Sequence, residues 1–535
     1  MPAVEKVETQ SMLVLDWNLA DLPSSQHRAG LAGLVLVMRW MARKKAIRGK
    51  CTLARIDSRG ATLELDEEGL KSLFDEVYAA SSEEVDRAQP MKNTKTKKEI
   101  PYLRSVERSF TDKNGKEKTK TVYVYPQVVP AGSFLADLDA PASGGKGFWI
   151  KLWRDVVWGV LRGVPATRRP FEARAAKEDA GDAAVAWSEL TRADNPALDL
   201  PSTYFVGAQA TTAEAVSFTD RARQRFLLHF WPFATPIYVP QVVDNEGERN
   251  FVGFALAFPD VRDLDGFCLE YRRVLEERGH ETNGYRPRDA VVDLAAEGAL
   301  DLTRRLAERL VPLEGRKPTA DLLLGIDVIH LEREGNNVRV RSSARVEPDL
   351  VMCDEYARIR SGYWNVRFRR QRLLNLLAKR RWFAGFERLA ATVPVEQLIG
   401  DQYFRHDARE AFKEANVRDE VNADEPMTSE GLVYRVVGTY IASKVKSKTD
   451  LSWGDVKANP SKEKDYNEAR EKVAKTAFLA VRSRSGGDFV AYFSGTLCSV
   501  PHHVGEEGFL VLTRALLADP ETIRTLTLLA LSARG

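Results

Sequence analysis

The sequence predicts an α+β protein, with a mixed N-terminal domain of antiparallel strands and helices over residues 1–347 and an all-α helical bundle over residues 348–535. Strand-like alternation broken by turn signals fills much of the first part, and helical periodicity fills almost all of the second. The 535 residues also exceed what one hydrophobic core normally supports. Hydrophobic residues make up 44% of the chain and charged residues 29%, which is typical of globular domains with sizeable cores.

The opening segment predicts a strand over Met12–Trp17 and an apolar helix over Ala29–Ala42, with Ser24 or Ser25 as its cap. The apolar stretch carries Arg39 and is shorter than the roughly 20 residues that cross a bilayer, so it predicts a buried helix. Neither a membrane anchor nor a targeting signal is visible, and we expect the protein in the cytoplasm.

A hairpin and an amphipathic helix follow. Cys51–Ile56 and Ala61–Leu65 alternate like strands around a turn at residues 57–60, in which Gly60 would supply a positive φ. Asp66 is the predicted cap of the helix. Its apolar residues recur with helical spacing at Leu70, Leu73, Phe74, Val77 and Tyr78.

The sequence changes character between Ser81 and Lys120, where polar residues and lysines dominate. We interpret this segment as a long exposed loop or a mobile hairpin arm. After it, the patterns predict a strand at 122–129, a glycine-containing loop at 141–147, a helix at 148–161, strands at 236–243 and 251–258 around a turn, helices at 264–277 and 301–310, and paired strands at 321–330 and 337–342. Asp519 and Pro520 predict the start of the last helix.

Positive charge is concentrated in two places, although the whole chain has a net charge of only +3. Met91–Lys120 contains ten lysines and arginines against four acidic residues, and Arg358–Arg381 contains nine against none. Such residues release counterions when they neutralise phosphates, so we predict nucleic-acid contacts in both segments, with an ordinary solvated surface as the alternative. A third basic region, Lys444–Arg484, contains interspersed acids and is at least as well explained as an exposed helix surface.

The second basic segment is also rich in aromatic residues, which can stack on unpaired bases. On a helix that begins near Asn365, the side chains of Arg372, Asn375 and Lys379 would share one face, with the leucines at 373, 374 and 377 on another. One helix could then pack and present a basic ridge. The aromatic candidates in and beside this segment are Tyr363, Trp364, Phe368, Trp382 and Phe383.

Motifs of catalysis are missing from the sequence. GxxxxGK[ST], GxSxG and HExxH do not occur, and nothing indicates a cofactor. The four cysteines form no CxxC pair, which excludes a zinc site built from such pairs and argues against a disulfide framework. The doublet His406–Asp407 leaves a metal-dependent nuclease as one alternative, but the sequence offers no further ligands for it. His27 is predicted to be a structural hydrogen-bonding residue. We predict a non-catalytic binding or assembly protein without a metal, and an RNA-binding scaffold is a further alternative.

The stretch Leu15–Leu34 resembles the beginning of the Myxan-type large subunit of the type I CRISPR Cascade complex, within the subtype I-B group. The most specific part is Leu-Pro-x-x-Gln-His-x-Ala-Gly-Leu-Ala-Gly-Leu, here Leu22–Leu34. Phe254–Val261, followed by a predicted helix, is a second shared feature. The overall length and the helical C-terminal end also agree with that family.

The resemblance implies a subunit near the 5′ end of the CRISPR guide RNA that reads the protospacer-adjacent motif in double-stranded target DNA and promotes unwinding and R-loop formation. It further implies that the helical domain contacts the displaced single strand, and that the backbone, cap and small subunits of Cascade are partners. A subunit of this kind helps to recruit the effector helicase-nuclease or, in a transposon-associated system, a transposition adaptor. In related subtypes the small subunit arises by internal translation, and a start at Met427 would give a product of 109 residues. The alternative is that Met427 is an ordinary loop methionine.

The residues predicted to contact nucleic acid are chosen by composition and not by resemblance. Lysine can pair with guanine and asparagine with adenine in the major groove, and glycines let a backbone approach closely. In the polar segment Ser81–Lys120, which we call the polar arm, the candidates are Lys92, Asn93, Lys95, Lys97 and Lys98. In the glycine loop they are Ser143, Gly144, Gly145 and Lys146. In the second basic segment they are Arg367, Arg369, Arg370, Arg372, Asn375, Lys379 and Arg380.

Overall fold

The structure is a computed structural model that describes residues 12–44, 48–92, 96–111, 117–161, 168–200, 204–208, 216–244, 246–310, 319–335, 337–421, 428–499 and 501–535. Contacts divide the chain into two compact units. The first unit comprises Met1–Pro240 and Val252–Asp349, and the second comprises Gln241–Phe251 and Leu350–Gly535. The α+β class predicted from the sequence is confirmed, because strands and helices mix in the first part and helices dominate the last.

The N-terminal elements begin with a strand and a long buried helix. In chain order they are β1 (Leu13–Asn18), α1 (Ser25–Met41), β2 (Cys51–Ile56), β3 (Gly60–Leu65), α2 (Glu67–Val77), β4 (Ala80–Arg87), β5 (Arg104–Thr111), β6 (Glu117–Pro130), α3 (Phe134–Leu138) and α4 (Phe148–Gly159). One antiparallel sheet has the order β1-β3-β2, and a second has the order β4-β6-β5.

Short helices and a larger sheet follow. They are α5 (Arg168–Ala175), α6 (Asp182–Leu190), β7 (Ala197–Asp199), β8 (Thr219–Arg221), α7 (Ala222–Leu227), α8 (Trp231–Ala234), β9 (Ile237–Val243), β10 (Arg249–Phe251), β11 (Phe254–Val261), α9 (Leu264–Glu276), β12 (Thr282–Asn283), β13 (Arg286–Pro287), β14 (Val291–Val292), α10 (Glu297–Leu310), α11 (Thr319–Leu322), β15 (Leu323–Glu334) and β16 (Asn337–Val346). In this sheet β9, β11, β15 and β16 are antiparallel neighbours, and β14 pairs with β9 in parallel.

The C-terminal elements described by the structure are helices. They are α12 (Leu350–Gly362), α13 (Val366–Leu377), α14 (Phe386–Thr392), α15 (Gln402–Val421), α16 (Ser429–Thr449), α17 (Trp453–Ala458), α18 (Glu463–Arg482), α19 (Gly486–Tyr492), α20 (Gly505–Ala518) and α21 (Pro520–Arg534). Helices α15, α16 and α18 pack against α21, whose middle is buried. Asp519 caps α21 as predicted, because its side chain accepts the backbone N–H of Thr522 at 3.1 Å.

Helix α1 explains the most specific sequence motif. The side-chain amide of Gln26 donates to the carbonyl of Val206 and accepts its N–H, both at 2.9 Å. His27 is buried and bonds the hydroxyl of Ser24 at 2.8 Å, so its predicted structural role is confirmed. A Cβ on Gly33 would lie 2.0 Å from the carbonyl oxygen of Phe230, and only glycine permits this close packing of α1 against the backbone before α8.

The first hairpin forms as predicted, but Gly60 serves a different purpose. It is not among the residues with positive φ. Instead, a Cβ there would lie 2.0 Å from the carbonyl oxygen of Trp17, because β1 and β3 pair at that point. Asp57 closes the turn by accepting the N–H of Gly60 at 3.0 Å. Asp66 caps α2 by accepting the N–H of Gly69 at 2.7 Å, which confirms the predicted helix start.

The polar segment after α2 is not one long loop. Strand β5 pairs with β6 from Arg104↔Val124 to Thr111↔Glu117, and β4 pairs with the other edge of β6. The hairpin interpretation is therefore the correct one in outline, and the prediction missed β4 altogether. Two other predicted strands also differ: residues 251–258 are divided between β10 and β11, and residues 319–322 form α11 before β15 begins.

The described residues include no helix that is both long enough and apolar enough to cross a membrane. All four cysteines are buried, and none of them forms a disulfide bond.

Candidate nucleic-acid interface

The polar arm carries a loop, residues 91–100, that its own backbone closes; we call it the lysine loop. The N–H of Ile100 donates to the carbonyl of Met91 at 2.8 Å. The hydroxyl of Tyr125 on β6 accepts the N–H of Met91 at 2.8 Å, which ties the loop to the sheet. Lys92 and Glu99 form an isolated antiparallel bridge inside it. The two ends of the loop are therefore held together and fixed on the sheet.

Three predicted residues of this loop are exposed: Lys92, Lys97 and Lys98. Lys97 has a φ of 58°, a left-handed conformation that few lysines adopt. No ion pair links any of the three to another described residue. The other two candidates, Asn93 and Lys95, lie outside the described residues. The structure thus places three lysine ammonium groups on one loop, where they can meet a polyanion.

Two arginines of the supporting sheet, Arg104 and Arg108, are neutralised by acidic neighbours. Arg104 on β5 donates to Glu84 on β4 at 2.9 Å, and Arg108 donates to Asp86 at 3.0 Å. These pairs are exposed and contribute little to stability, but each cancels a positive charge locally. Arg104 and Arg108 therefore add little to the positive charge that the exposed lysines of the loop display.

The glycine loop brings Ser143, Gly144, Gly145 and Lys146 together before α4. The hydroxyl of Ser143 donates to the carbonyls of Ala140 at 2.9 Å and Asp137 at 3.0 Å, so it has a structural role. The buried carboxylate of Asp139 accepts the N–H of Ile150 at 2.9 Å and already occupies the N-terminus of α4. A phosphate at that helix end would be repelled. Lys146, which is exposed, is the cation that this loop offers.

The sequence predicted a basic ridge of three exposed side chains on α13, and the structure contradicts this prediction for two of them. The helix begins where expected, because the side chain of Asn365 accepts the N–H of Arg367 at 3.0 Å. Arg372 and Asn375, however, are buried. Arg372 lies 3.4 Å from a carboxylate oxygen of Glu355. Its second acidic neighbour is at position 414. Both acidic residues lie outside the basic segment, so a count of charges within the segment could not reveal them.

Asn375 has its own structural role, since its side-chain amide donates to the carbonyl of Trp382 at 2.7 Å. The other candidates differ in exposure. Arg367 and Arg369 are half-buried, and Arg369 donates to the carbonyl of Tyr363 at 3.1 Å. Arg370 is also half-buried, whereas Lys379 and Arg380, just after α13, are exposed. Among the candidate residues of this segment, the exposed positive charge therefore lies at the end of α13.

Of the five aromatic candidates, only Trp364 has a largely exposed side chain. Tyr363, Phe368 and Phe383 are at most 3% exposed, and Trp382 is half-buried. Trp364 is 53% exposed. Sequence spacing could not separate these rings, because each occurs in a basic context with leucines nearby.

The doublet His406–Asp407 is part of this framework and not an open metal site. Asp407 is fully buried and accepts the N–H groups of Trp364 at 3.0 Å and Asn365 at 2.7 Å. Burial raises the pKa of Asp407, and these two hydrogen bonds oppose the increase. Within the described ranges, no three His, Cys, Asp or Glu side chains converge to hold a metal ion.

Two family models match the chain in succession. The type I-B CRISPR Cas8b N-terminal domain matches residues 51–316, and the type I-B CRISPR Cas8b C-terminal domain matches residues 323–534. Because the two matches cover nearly the whole chain, it belongs to the type I-B Cas8b family, the large subunits of type I-B Cascade. The family indicated by the sequence is confirmed; Phe254–Val261 lies inside the first match, and Leu22–Leu34 precedes it. A search of curated proteins finds no significant match.

Proposed function

We propose that this chain reads the protospacer-adjacent motif in double-stranded DNA through the lysine loop, and that it promotes unwinding and R-loop formation. The observation that carries the proposal is the group of exposed lysines, Lys92, Lys97 and Lys98, on one loop beside a sheet in which Arg104 and Arg108 are already paired. A loop of this kind can enter a groove while its charge is attracted to phosphates. Asn93 and Lys95 belong to the proposal, although they lie outside the described residues.

The remaining nucleic-acid contacts are proposed for exposed cations elsewhere. Lys146 is suited to a phosphate beside the motif, and Lys379 and Arg380 are suited to the displaced single strand. Arg372 and Asn375 are left out of this proposal, because both are buried and bonded within the fold. The chain would act without catalysis of its own, together with guide RNA and the backbone, cap and small subunits, and it would recruit the effector helicase-nuclease or a transposition partner.

The test uses the complex purified with its natural subunits and guide RNA. The guide-complementary target is placed in duplexes whose flanking motif is permuted, and capture of each duplex is measured. We expect the wild-type complex to prefer a few motifs, and the variant with Lys92, Lys97 and Lys98 changed to alanine to lose that preference while it keeps its guide RNA. The double variant Glu84→Ala, Arg104→Ala removes an ion pair from the same sheet without changing net charge, and it should behave as wild type.

Two outcomes would replace the proposal. Equal capture of all motifs by the wild-type complex would favour an RNA-binding scaffold. Metal-dependent cleavage of DNA by the isolated chain, abolished by His406→Ala, would favour a nuclease. The contacts of Asp407 with backbone N–H groups argue against that second result.

A further inference from the structure

We propose that the second unit holds one unpaired nucleobase in a cavity beside Trp364. The inference rests on the proposed function, since it assigns to this chain a specific contact with a separated strand. It goes beyond charge, because stacking on a ring requires a base and not only a phosphate.

Three aromatic side chains, Trp364, Tyr403 and His406, form what we call the stacking platform. The rings of Trp364 and His406 are 4.2 Å apart at their centroids and 3° from parallel. Tyr403 meets Trp364 edge-on at 6.1 Å and is 48% exposed. His406 covers one face of the indole, so the exposed half of Trp364 belongs to its other face and edge. An unpaired base could extend this stack by one ring.

The platform is fixed before any ligand arrives. The carboxylate of Asp407 holds the backbone N–H groups of Trp364 and Asn365, and Asn365 in turn caps α13. A ring that is already positioned loses little conformational entropy on binding, which favours affinity. The fully buried Asp407 also bonds the ring nitrogen Nδ1 of His406 at 3.2 Å, so it orients both this turn and the histidine of the platform.

A cavity of about 290 Å³ adjoins the platform. Its volume is at the lower end of small-ligand pockets, which suits a single base and excludes a duplex. Besides Trp364 and Tyr403, its lining includes Arg249 and Glu246 from the hairpin at 241–251. Arg367 lies in the wall and bonds the side-chain oxygen of Gln397 and the carbonyl of Asp244, so the hairpin and the helices of the second unit enclose one space.

The charges of the lining favour a base over a phosphate. Glu246 and Asp401 lie in it beside the arginines, and two carboxylates would repel a phosphate group. Asp401 already accepts the N–H of Tyr403 at 2.8 Å, so its position is fixed by the start of α15. Such acceptors and donors can meet the amino and carbonyl groups on the edge of a base. An aromatic or proline side chain of a protein partner is the competing occupant, but it has few polar groups to meet Arg249, Glu246 and Asp401 in the lining, whereas the edge of a base has several.

The test measures binding of short labelled single strands to the assembled complex by fluorescence anisotropy. One strand is an oligodeoxyadenylate, and the other is an abasic strand of the same length and charge. We expect Trp364→Ala to weaken binding of the first strand about fivefold to 150-fold, which is the range for loss of one stacked base. Trp364→Phe should retain most of the affinity because it keeps a ring. On the abasic strand, Trp364→Ala and wild type should be equal.

Trp453→Ala is the matched control, because Trp453 is 47% exposed in the same unit but does not line the cavity. Wild-type affinity of Trp364→Ala for the oligodeoxyadenylate would overturn the inference. If the motif preference of that variant also remained intact, the proposed function would still stand. Loss of a Cascade subunit from the Trp364→Ala complex, with strand binding unchanged, would overturn the inference that the cavity holds a base and would indicate a protein partner instead. If the wild-type complex bound neither strand and captured no target, both proposals would fail.

Discussion

Removal of the lysine-loop charges should flatten the salt dependence of target binding by the complex. Each cation that neutralises a phosphate on duplex DNA contributes about 0.9 to the slope of log K against log salt concentration. Alanine at Lys92, Lys97 and Lys98 should therefore reduce the magnitude of that slope by up to about 2.7. Between 50 mM and 200 mM salt, the wild-type complex should therefore lose roughly 40-fold more affinity than the triple variant.

The assay is a titration of a matched duplex with the wild-type and triple-variant complexes at several salt concentrations. The charge-neutral pair variant, Glu84→Ala with Arg104→Ala, should keep the wild-type slope, since that arginine is already neutralised. A triple variant whose slope equals that of the wild type would show that the loop does not touch phosphates. A lower affinity at every salt concentration with an unchanged slope would likewise refute the charge argument and indicate a structural defect.

Three further predictions concern stability and the C-terminal part of the chain. Burial lowers the pKa of His229 to about 3, so stability should decrease as pH falls from 6.5 towards that value, by about 2 kcal/mol at pH 5. Denaturation at several pH values should show a weaker pH dependence for His229→Gln than for the wild type. Parallel curves for the two proteins would contradict this prediction. Asp407→Ala leaves two backbone N–H groups without their acceptor and should destabilise the second unit by about 3 kcal/mol. Asp407→Asn should be milder in the same denaturation assay, and unchanged unfolding of Asp407→Ala would count against this prediction. Mass spectrometry of the purified complex should detect a C-terminal product that starts at or near Met427, which lies outside the described residues; its absence would mean that no internal start is used.

Local signals predicted the elements with apolar periodicity and clear caps. The four apolar residues of α2 and Tyr78 just after it are all buried, and Asp66 starts the helix because its carboxylate can reach the first free N–H groups. Strand β4 gave no such signal, since most of its side chains are exposed and nothing alternates. A polar strand is defined by its hydrogen-bonded neighbour, here β6, and that neighbour lies far along the chain.

The candidate site was predictable in its chemistry but not in its geometry. The absence of acids between residues 358 and 381 suggested an exposed basic surface, yet Arg372 is buried against Glu355 and a second acid at position 414. Long-range pairing of this kind cannot be read from a local window. Trp364 could be separated from its neighbours only by exposure, and exposure depends on how α12, α13 and α15 pack.

The packing of α15 against α21 bears on any short C-terminal product. In the full chain, Arg405 and Arg409 of α15 donate to the carbonyls of Gly535 and Ala533, and Phe412 stacks on Tyr434 of α16. A polypeptide beginning at residue 427 would lack all three side chains. Its flank would then display bare aromatic and aliphatic surface, and the carbonyl of Ala533 would lose its arginine donor, whereas that of Gly535 would keep Arg470. Such a product would have to replace α15 with a helix from another chain, so it would be an obligate assembly component and not a free-standing domain.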